Sequence, residues 1–184
     1  MTWRARAVAH SVSLVTALLM GACAVVPQAP GAATAEALSG RLTVQVEGTA
    51  GAAARSMSAG FDLQGNAQTG RLNLSTPLGT VLAQARWAPG SVVLATPQGE
   101  KHFANLDALT HEVLGESLPV AALFDWLRGR PWPEAASMAN LPPAEPGFEQ
   151  LGWAVSLARF DEAWVVARRE RAPFVTVRAK LDSP

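Results

Sequence analysis

From Leu42 to Trp87 apolar and polar residues alternate one by one, and a period of two buries a face only when the chain is extended. Leu42, Val44 and Val46 form one such face; Met57, Ala59, Phe61 and Leu63, then Leu72 and Leu74, then Val81, Ala83, Ala85 and Trp87 form the next. Turn signals at Gly65-Asn66, Ala88-Pro89-Gly90 and Pro97-Gln98-Gly99 separate the runs at hairpin spacing. After Asn105, an expected N-cap, the period becomes helical: Leu106, Leu109, Val113 and Leu114, then Val120, Leu123, Phe124 and Leu127 after Pro119, with Gly129 as the stop. Residues 130–147 hold five prolines and read as loop with at most a short helical turn at 134–138. Alternation returns at Trp153, Val155 and Leu157, at Val165 and Ala167, and from Val175 to Leu181, with a hairpin turn at Asp161-Glu162. Strands, an internal helical insertion and more strands predict a mainly β domain over 38–184, a curved antiparallel sheet with helices on one face.

The first 37 residues follow neither pattern. Arg4 and Arg6 precede the apolar run Val12 to Met20, which is too short and too interrupted by Ser13 and Thr16 to span a bilayer and ends in Gly21-Ala22-Cys23. Leu19-Met20-Gly21-Ala22-Cys23 resembles the lipobox of bacterial lipoproteins, which implies removal of a signal peptide at 1–22 and acylation of Cys23. Ala24 after the cysteine implies, by the same resemblance, sorting to the outer membrane. One acyl chain holds a protein only marginally and two or more hold it firmly, so this lipidation site predicts a permanent anchor. Residues 24–37 are rich in Ala, Pro and Val and read, with Cys23, as a flexible tether spanning roughly 20 Å.

Several function classes fall away on composition. The chain has 15 basic and 15 acidic side chains, and removing residues 1–22 leaves 13 against 15, a faintly acidic domain that predicts no nucleic-acid partner and no strong attraction to anionic lipid. A single cysteine excludes a disulfide framework and a multi-cysteine metal site. His102 and His111 stand nine apart, outside zinc spacing, and no Gly-x-Ser-x-Gly elbow or phosphate-binding glycine loop is present. Nothing here argues for an enzyme, a catalytic residue, a cofactor or a metal.

What remains is apolar surface. The large side chains on the strands and helices either fill a core or, where sheet and helices do not close, line a cavity, and composition does not choose between the two. The segment Thr76-Pro77-Leu78-Gly79 is a turn in which Pro77 pre-sets φ and Gly79 permits positive φ, so Leu78 is expected at the tip of a loop. On a tethered domain that side chain would gain roughly 1.5–3 kcal/mol by entering a bilayer.

Leu38-Ser39-Gly40-Arg41-Leu42, the Thr76–Gly79 turn, Leu114-Gly115 with Leu118-Pro119-Val120, the run Trp126-Leu127-Arg128-Gly129-Arg130-Pro131, and Leu151-Gly152-Trp153 occur in an order that resembles the LolB family of outer-membrane lipoprotein receptors. The resemblance implies an incomplete antiparallel β-barrel enclosing a hydrophobic cavity beneath a helical lid. It implies a protein that accepts lipoproteins from a LolA-type periplasmic carrier and inserts them into the outer membrane. The partners are then the carrier, the acyl chains of the cargo and outer-membrane phospholipid, with the protein itself a monomer. The expected acyl-chain lining is Phe61, Leu63, Leu72, Leu74, Trp87, Leu123, Trp126 and Trp153, and the expected insertion loop is Pro77, Leu78 and Gly79. A structural lipoprotein that pairs through a sheet edge, or a lipid-binding sensor on the same barrel, would carry the same anchor.

Overall fold

Hydrogen-bonded pairing turns the alternating segments into one antiparallel sheet. The computed structural model describes residues 37–51 and 53–182, all in one compact unit; the expected signal peptide, Cys23 and the tether through Glu36 lie outside the described residues. The first meander is β1 (Leu38–Val46), β2 (Arg55–Gly65), β3 (Gly70–Ser75), β4 (Val81–Ala88), β5 (Ser91–Thr96) and β6 (Gly99–Phe103). Helices α1 (Leu106–Leu114) and α2 (Val120–Trp126) follow. The second meander is β7 (Ser137–Ala139), β8 (Gly147–Gln150), β9 (Trp153–Ser156), β10 (Trp164–Arg169) and β11 (Val175–Leu181).

The two meanders join where β1 pairs with β11, with Val44 opposite Val177 and Val46 opposite Val175, giving the order β6-β5-β4-β3-β2-β1-β11-β10-β9-β8-β7. The outermost strands, β6 and β7, are not hydrogen-bonded to each other, so the barrel is incomplete. The helices are the chain segment that runs from one free edge to the other.

Alternation sets the faces as the period predicts. Val44, Phe61, Leu63, Ala85, Trp87, Val165, Ala167 and Val177 are buried on the inner side, and Arg41, Arg86 and Arg168 are exposed on the outer side. Val81 is the exception, at 48% exposed. The β3–β4 register slips there, Leu74 facing Ala83 but Ser75 facing Val81, so one extra residue on β4 turns Val81 outward.

Asn105 caps α1 as expected, its Oδ1 accepting from Ala108 N at 2.8 Å, and Gly115 ends the helix at φ 79°. The second helix stops at Trp126, and Gly129 turns the chain at φ 73° three residues later. A Cβ on Gly129 would stand 2.7 Å from the Phe160 ring, so that turn has no room for a side chain. The proline-rich stretch departs from the loop expectation. Residues 137–139 form β7 rather than a helical turn, and Gly147–Gln150 is a strand with Phe148 and Gln150 inward. Prolines at 142, 143 and 146 lie between these strands and interrupt neither.

Candidate functional site

The inner face of β1–β5 and the underside of the two helices do not meet. Between them lies a cavity of about 330 Å³, within the size range of small-ligand sites. Leu42, Met57, Phe61, Leu72 and Leu74 form much of the sheet wall, and Leu109, Leu118, Val120, Leu123 and Leu127 much of the helical wall. No lining residue is ionisable. Only Thr96 and Thr110 bring hydroxyls, and both are engaged elsewhere. Thr110 Oγ1 donates to Asp107 O and accepts from Leu118 N, while Thr96 Oγ1 donates to Gly99 O and accepts from Gln98 N. The walls offer an occupant dispersion contacts and no unfilled polar valence, which suits a hydrocarbon chain and penalises a polar ligand.

Five of the eight residues expected to line a cavity, Phe61, Leu63, Leu72, Leu74 and Leu123, stand on this wall. Trp87, Trp126 and Trp153 do not, and for Trp87 and Trp126 the indole gives the reason: a buried N–H needs an acceptor, which a hydrocarbon slot lacks. Trp87 Nε1 donates to Asn66 O at 2.9 Å, and its ring meets Phe124 edge-on at 5.5 Å, bracing α2 against β4. Trp126, fully buried, donates to Gln150 Oε1 at 2.8 Å and packs on Trp153 and Phe148 at 5.9 and 6.5 Å. Trp126, Trp153 and Phe148 fill the half of the concave face under β8 and β9, while Trp87 and Phe124 stand in the other half, beside the cavity. Leu82, Ala83, Val113 and Leu94 were missed as lining residues; for Leu82 the register slip on β4 is a signal that only pairing reveals.

Leu82 and Val113 line the cavity yet are each 41% exposed, so they mark its mouth, one on the sheet and one on α1. Four residues before Leu82 is Leu78, 95% exposed at the tip of the expected turn. Gly79 N donates to Thr76 O and Thr80 N to Thr76 Oγ1, with Gly79 at φ 84°, so the loop is braced by its own backbone while Leu78 touches little.

The lid is tied down by charged side chains. Arg169, on the inner side of β10, donates to Glu116 Oε2 in the loop between the helices, and its guanidinium lies 5.9 Å from the Trp153 ring. Lys101 on β6 donates to Glu112 on α1 at 2.9 Å, which holds the Glu112 carboxyl below its ordinary value through that hydrogen bond and then the lysine's charge.

A family model described as "Outer membrane lipoprotein LolB" matches residues 35–175. The chain belongs to the LolB family. Among its relatives, the outer-membrane lipoprotein LolB of Bordetella petrii is 32% identical over 176 residues, covering 90% of this chain and 88% of that protein. The Bordetella parapertussis protein of the same name is 32% identical over 186 residues, 96% of this chain and 92% of its own length. A third, from Chromohalobacter salexigens, is 33% identical over 61% of this chain and 55% of its own. Among the described residues of this LolB-family chain no helix is long and apolar enough to cross a membrane, and no three His, Cys, Asp or Glu side chains gather as a metal site. In this LolB-family chain the Leu78 loop runs directly into β4, four residues before Leu82 at the cavity's mouth, and Leu78 is the most exposed leucine among the described residues.

Proposed function

We propose that this protein is an outer-membrane lipoprotein, anchored through Cys23, that takes the acyl chains of other lipoproteins from a LolA-type periplasmic carrier and delivers them to the outer membrane. The observation that carries this reading is the cavity between β1–β5 and the helices, apolar throughout, with both of its hydroxyls engaged by neighbouring backbone. Phe61, Leu63, Leu72, Leu74 and Leu123 hold the hydrocarbon, and the helices move aside to admit it. No bond is made or broken. Transfer runs downhill when this cavity binds acyl chains more tightly than the donor's, each 1.4 kcal/mol of difference being about tenfold. Leu78 enters the bilayer and brings the mouth to the hydrocarbon boundary, where cargo leaves.

The test is a lipoprotein bound to purified carrier, mixed with liposomes that hold the lipidated chain, without nucleotide. Cargo is expected to leave the carrier and become membrane-integrated. Cargo that stays on the carrier at every ratio of the two proteins overturns the reading.

A further inference from the structure

The outer face of the sheet carries a charge pattern that neither the cavity nor the loop uses. Strands β10, β11 and β1 are neighbours and hold Arg168, Arg169, Arg178, Lys180 and Arg41 without a single acidic residue. Arg169 faces inward to the lid; the other four face out. Register sets them close. Arg41 is directly opposite Lys180, Arg178 opposite Thr43, and Arg168 opposite Thr176. Like charges facing each other across a ladder are unfavourable, so this pairing costs the isolated domain. Arg41 and Arg168 have no hydrogen-bond or ion-pair partner among the described residues, and Arg178 is bonded only to Gln45, a neutral amide. Acids border this face at one end, where Asp182 accepts from Ser39 Oγ and Glu162 pairs with Arg159 while its carbonyl accepts from Lys180; Asp62 and Glu149 stand farther out, on β2 and β8.

The same face carries Trp164, half-buried, directly opposite Lys180, with the Lys180 and Arg159 cations 5.8 and 5.5 Å from its ring. Val166 is its outward neighbour along β10. Tryptophan among lysine and arginine is the side-chain set of a membrane interface, where the indole sits at headgroup depth and the cations meet phosphate. A second alignment points the same way. Ser75, Gly60, Arg41, Lys180 and Trp164 form one cross-strand row, and the loop that carries Leu78 leaves the sheet from the Ser75 end of it. The row crosses four strand spacings, roughly 19 Å, so the loop and the basic face can address one flat surface together. The strand that bears Arg41 is also the one whose first residue, Leu38, follows Cys23 by fifteen positions, within reach of the bilayer.

We infer that the outer face of β1, β11 and β10 is a docking surface for the anionic phosphate headgroups of the bilayer in which the protein is anchored, with Arg41, Arg168, Arg178 and Lys180 as the charge contacts and Trp164 as the interfacial anchor. It lays the barrel down on the membrane and presents the Leu78 loop to the lipid. The inference rests on the proposed reading only for the anchor at Cys23.

Because the sequence has no other cysteine, Thr43→Cys in the acylated full chain gives one free thiol, at the centre of this face, for an environment-sensitive fluorophore. His102→Cys on the exposed edge strand β6 is the control. In liposomes of phosphatidylcholine with phosphatidylglycerol, the label at 43 is expected to shift to the blue and lose access to an aqueous quencher, relative to phosphatidylcholine alone. High salt should reverse the shift, and the label at 102 should not respond. Arg41→Gln with Arg178→Gln should lower the docking equilibrium roughly 30-fold, and the milder Arg168→Gln alone about fivefold; circular dichroism identifies any variant that misfolds. A label at 43 blind to phosphatidylglycerol overturns the inference, as does one that responds only to added soluble carrier, which would make the face a protein-binding surface. Cargo delivery is read in the same liposomes. Failed delivery with an intact lipid response sinks the transfer function alone, and normal delivery with no lipid response sinks the docking face alone.

Discussion

Arg169 Nη2 donates to Glu116 Oε2 across 2.9 Å, joining residues 53 positions apart in sequence, one on the concave wall of the sheet and the other at the bend between the two lid helices. Both side chains are mostly shielded from water, 13% and 25% exposed, so the pair is screened less than the surface pairs elsewhere on the molecule. Arg169 is itself held by Pro173 O at 2.8 Å, which makes it the fixed half of the latch and Glu116 the mobile half.

Glu116→Gln keeps the shape and removes the charge. It should lower stability by no more than about 1.5–3 kcal/mol, the range for hydrogen bonds to charged groups. The lid should open more often: an apolar dye that fluoresces on entering the cavity should bind faster, and amides of 114–118 should exchange sooner. Unchanged dye kinetics would show that the latch does not limit opening.

Gln150 is the polar centre of the filled half of the barrel. Its Oε1 accepts from Trp126 Nε1 and Trp132 N, and its Nε2 donates to Trp132 O and Ala135 O. Gln150→Leu fits by size but removes four hydrogen bonds, leaving Trp132 O only its bond from Ala135 N, and a loss of roughly 3–5 kcal/mol is expected. Thermal melts measure it, and loss of protection at 132–135 would show where the fold loosens.

Leu78→Glu should leave stability within about 0.5 kcal/mol, since the side chain is almost wholly exposed. Uptake of cargo from the carrier should continue while delivery to liposomes stops. Normal delivery by this variant would remove Leu78 from the mechanism.

Ala83 lines the cavity on β4, where added volume enters empty space. Ala83→Phe should keep or raise the melting temperature, because it fills a void, while it cuts acyl-chain binding in proportion to the room removed. A variant that melts earlier and still binds cargo would mean that the cavity occupant lies elsewhere.

The Lys101–Glu112 pair gives a pH dependence of known sign. Glu112 has a lowered pKa in the folded protein, so its contribution is complete above the unfolded value of about 4.3 and is lost as pH falls through the lowered folded one. Acid should therefore loosen α1 from β6 before the sheet melts, and salt should blunt the effect because both side chains are exposed. Hydrogen exchange of α1 between pH 5 and 3, with Lys101→Met as the flat reference, checks it.

Much of the sheet is legible in the sequence because one residue of context decides each position. Phe61 and Leu63 are inward since Asp62 is not, and Asn105 caps α1 through its own side chain. Val81 is illegible by that rule, for its orientation depends on how Ser75 and Leu74 pair across the strand. Two tryptophans mislead for a different reason: hydrophobicity groups Trp87 and Trp126 with the leucines, but a buried indole N–H must find an oxygen, and Asn66 and Gln150 are distant in sequence. Strand β8 hides because it follows Pro142, Pro143 and Pro146 directly and has one large apolar residue, Phe148, whereas β9, equally short, shows Trp153 and Val155 in alternation. Net charge hides distribution. A domain at −2 says nothing of where its charges lie, and pairing brings Arg41 together with Arg168, Arg178 and Lys180 on three adjacent strands, though Arg41 is far from them in sequence.

The unjoined strands β6 and β7 have a consequence for the width of the interior. In a closed barrel strand number and stagger dictate the radius, so the interior is a vessel of one calibre. Here no ladder crosses the seam, and the helices are held there by side-chain packing, the Trp126–Gln150 hydrogen bond and the Arg169–Glu116 and Lys101–Glu112 ion pairs. No strand number or closed ladder imposes one calibre on this interior, so its gauge is left to the side chains that bridge the seam.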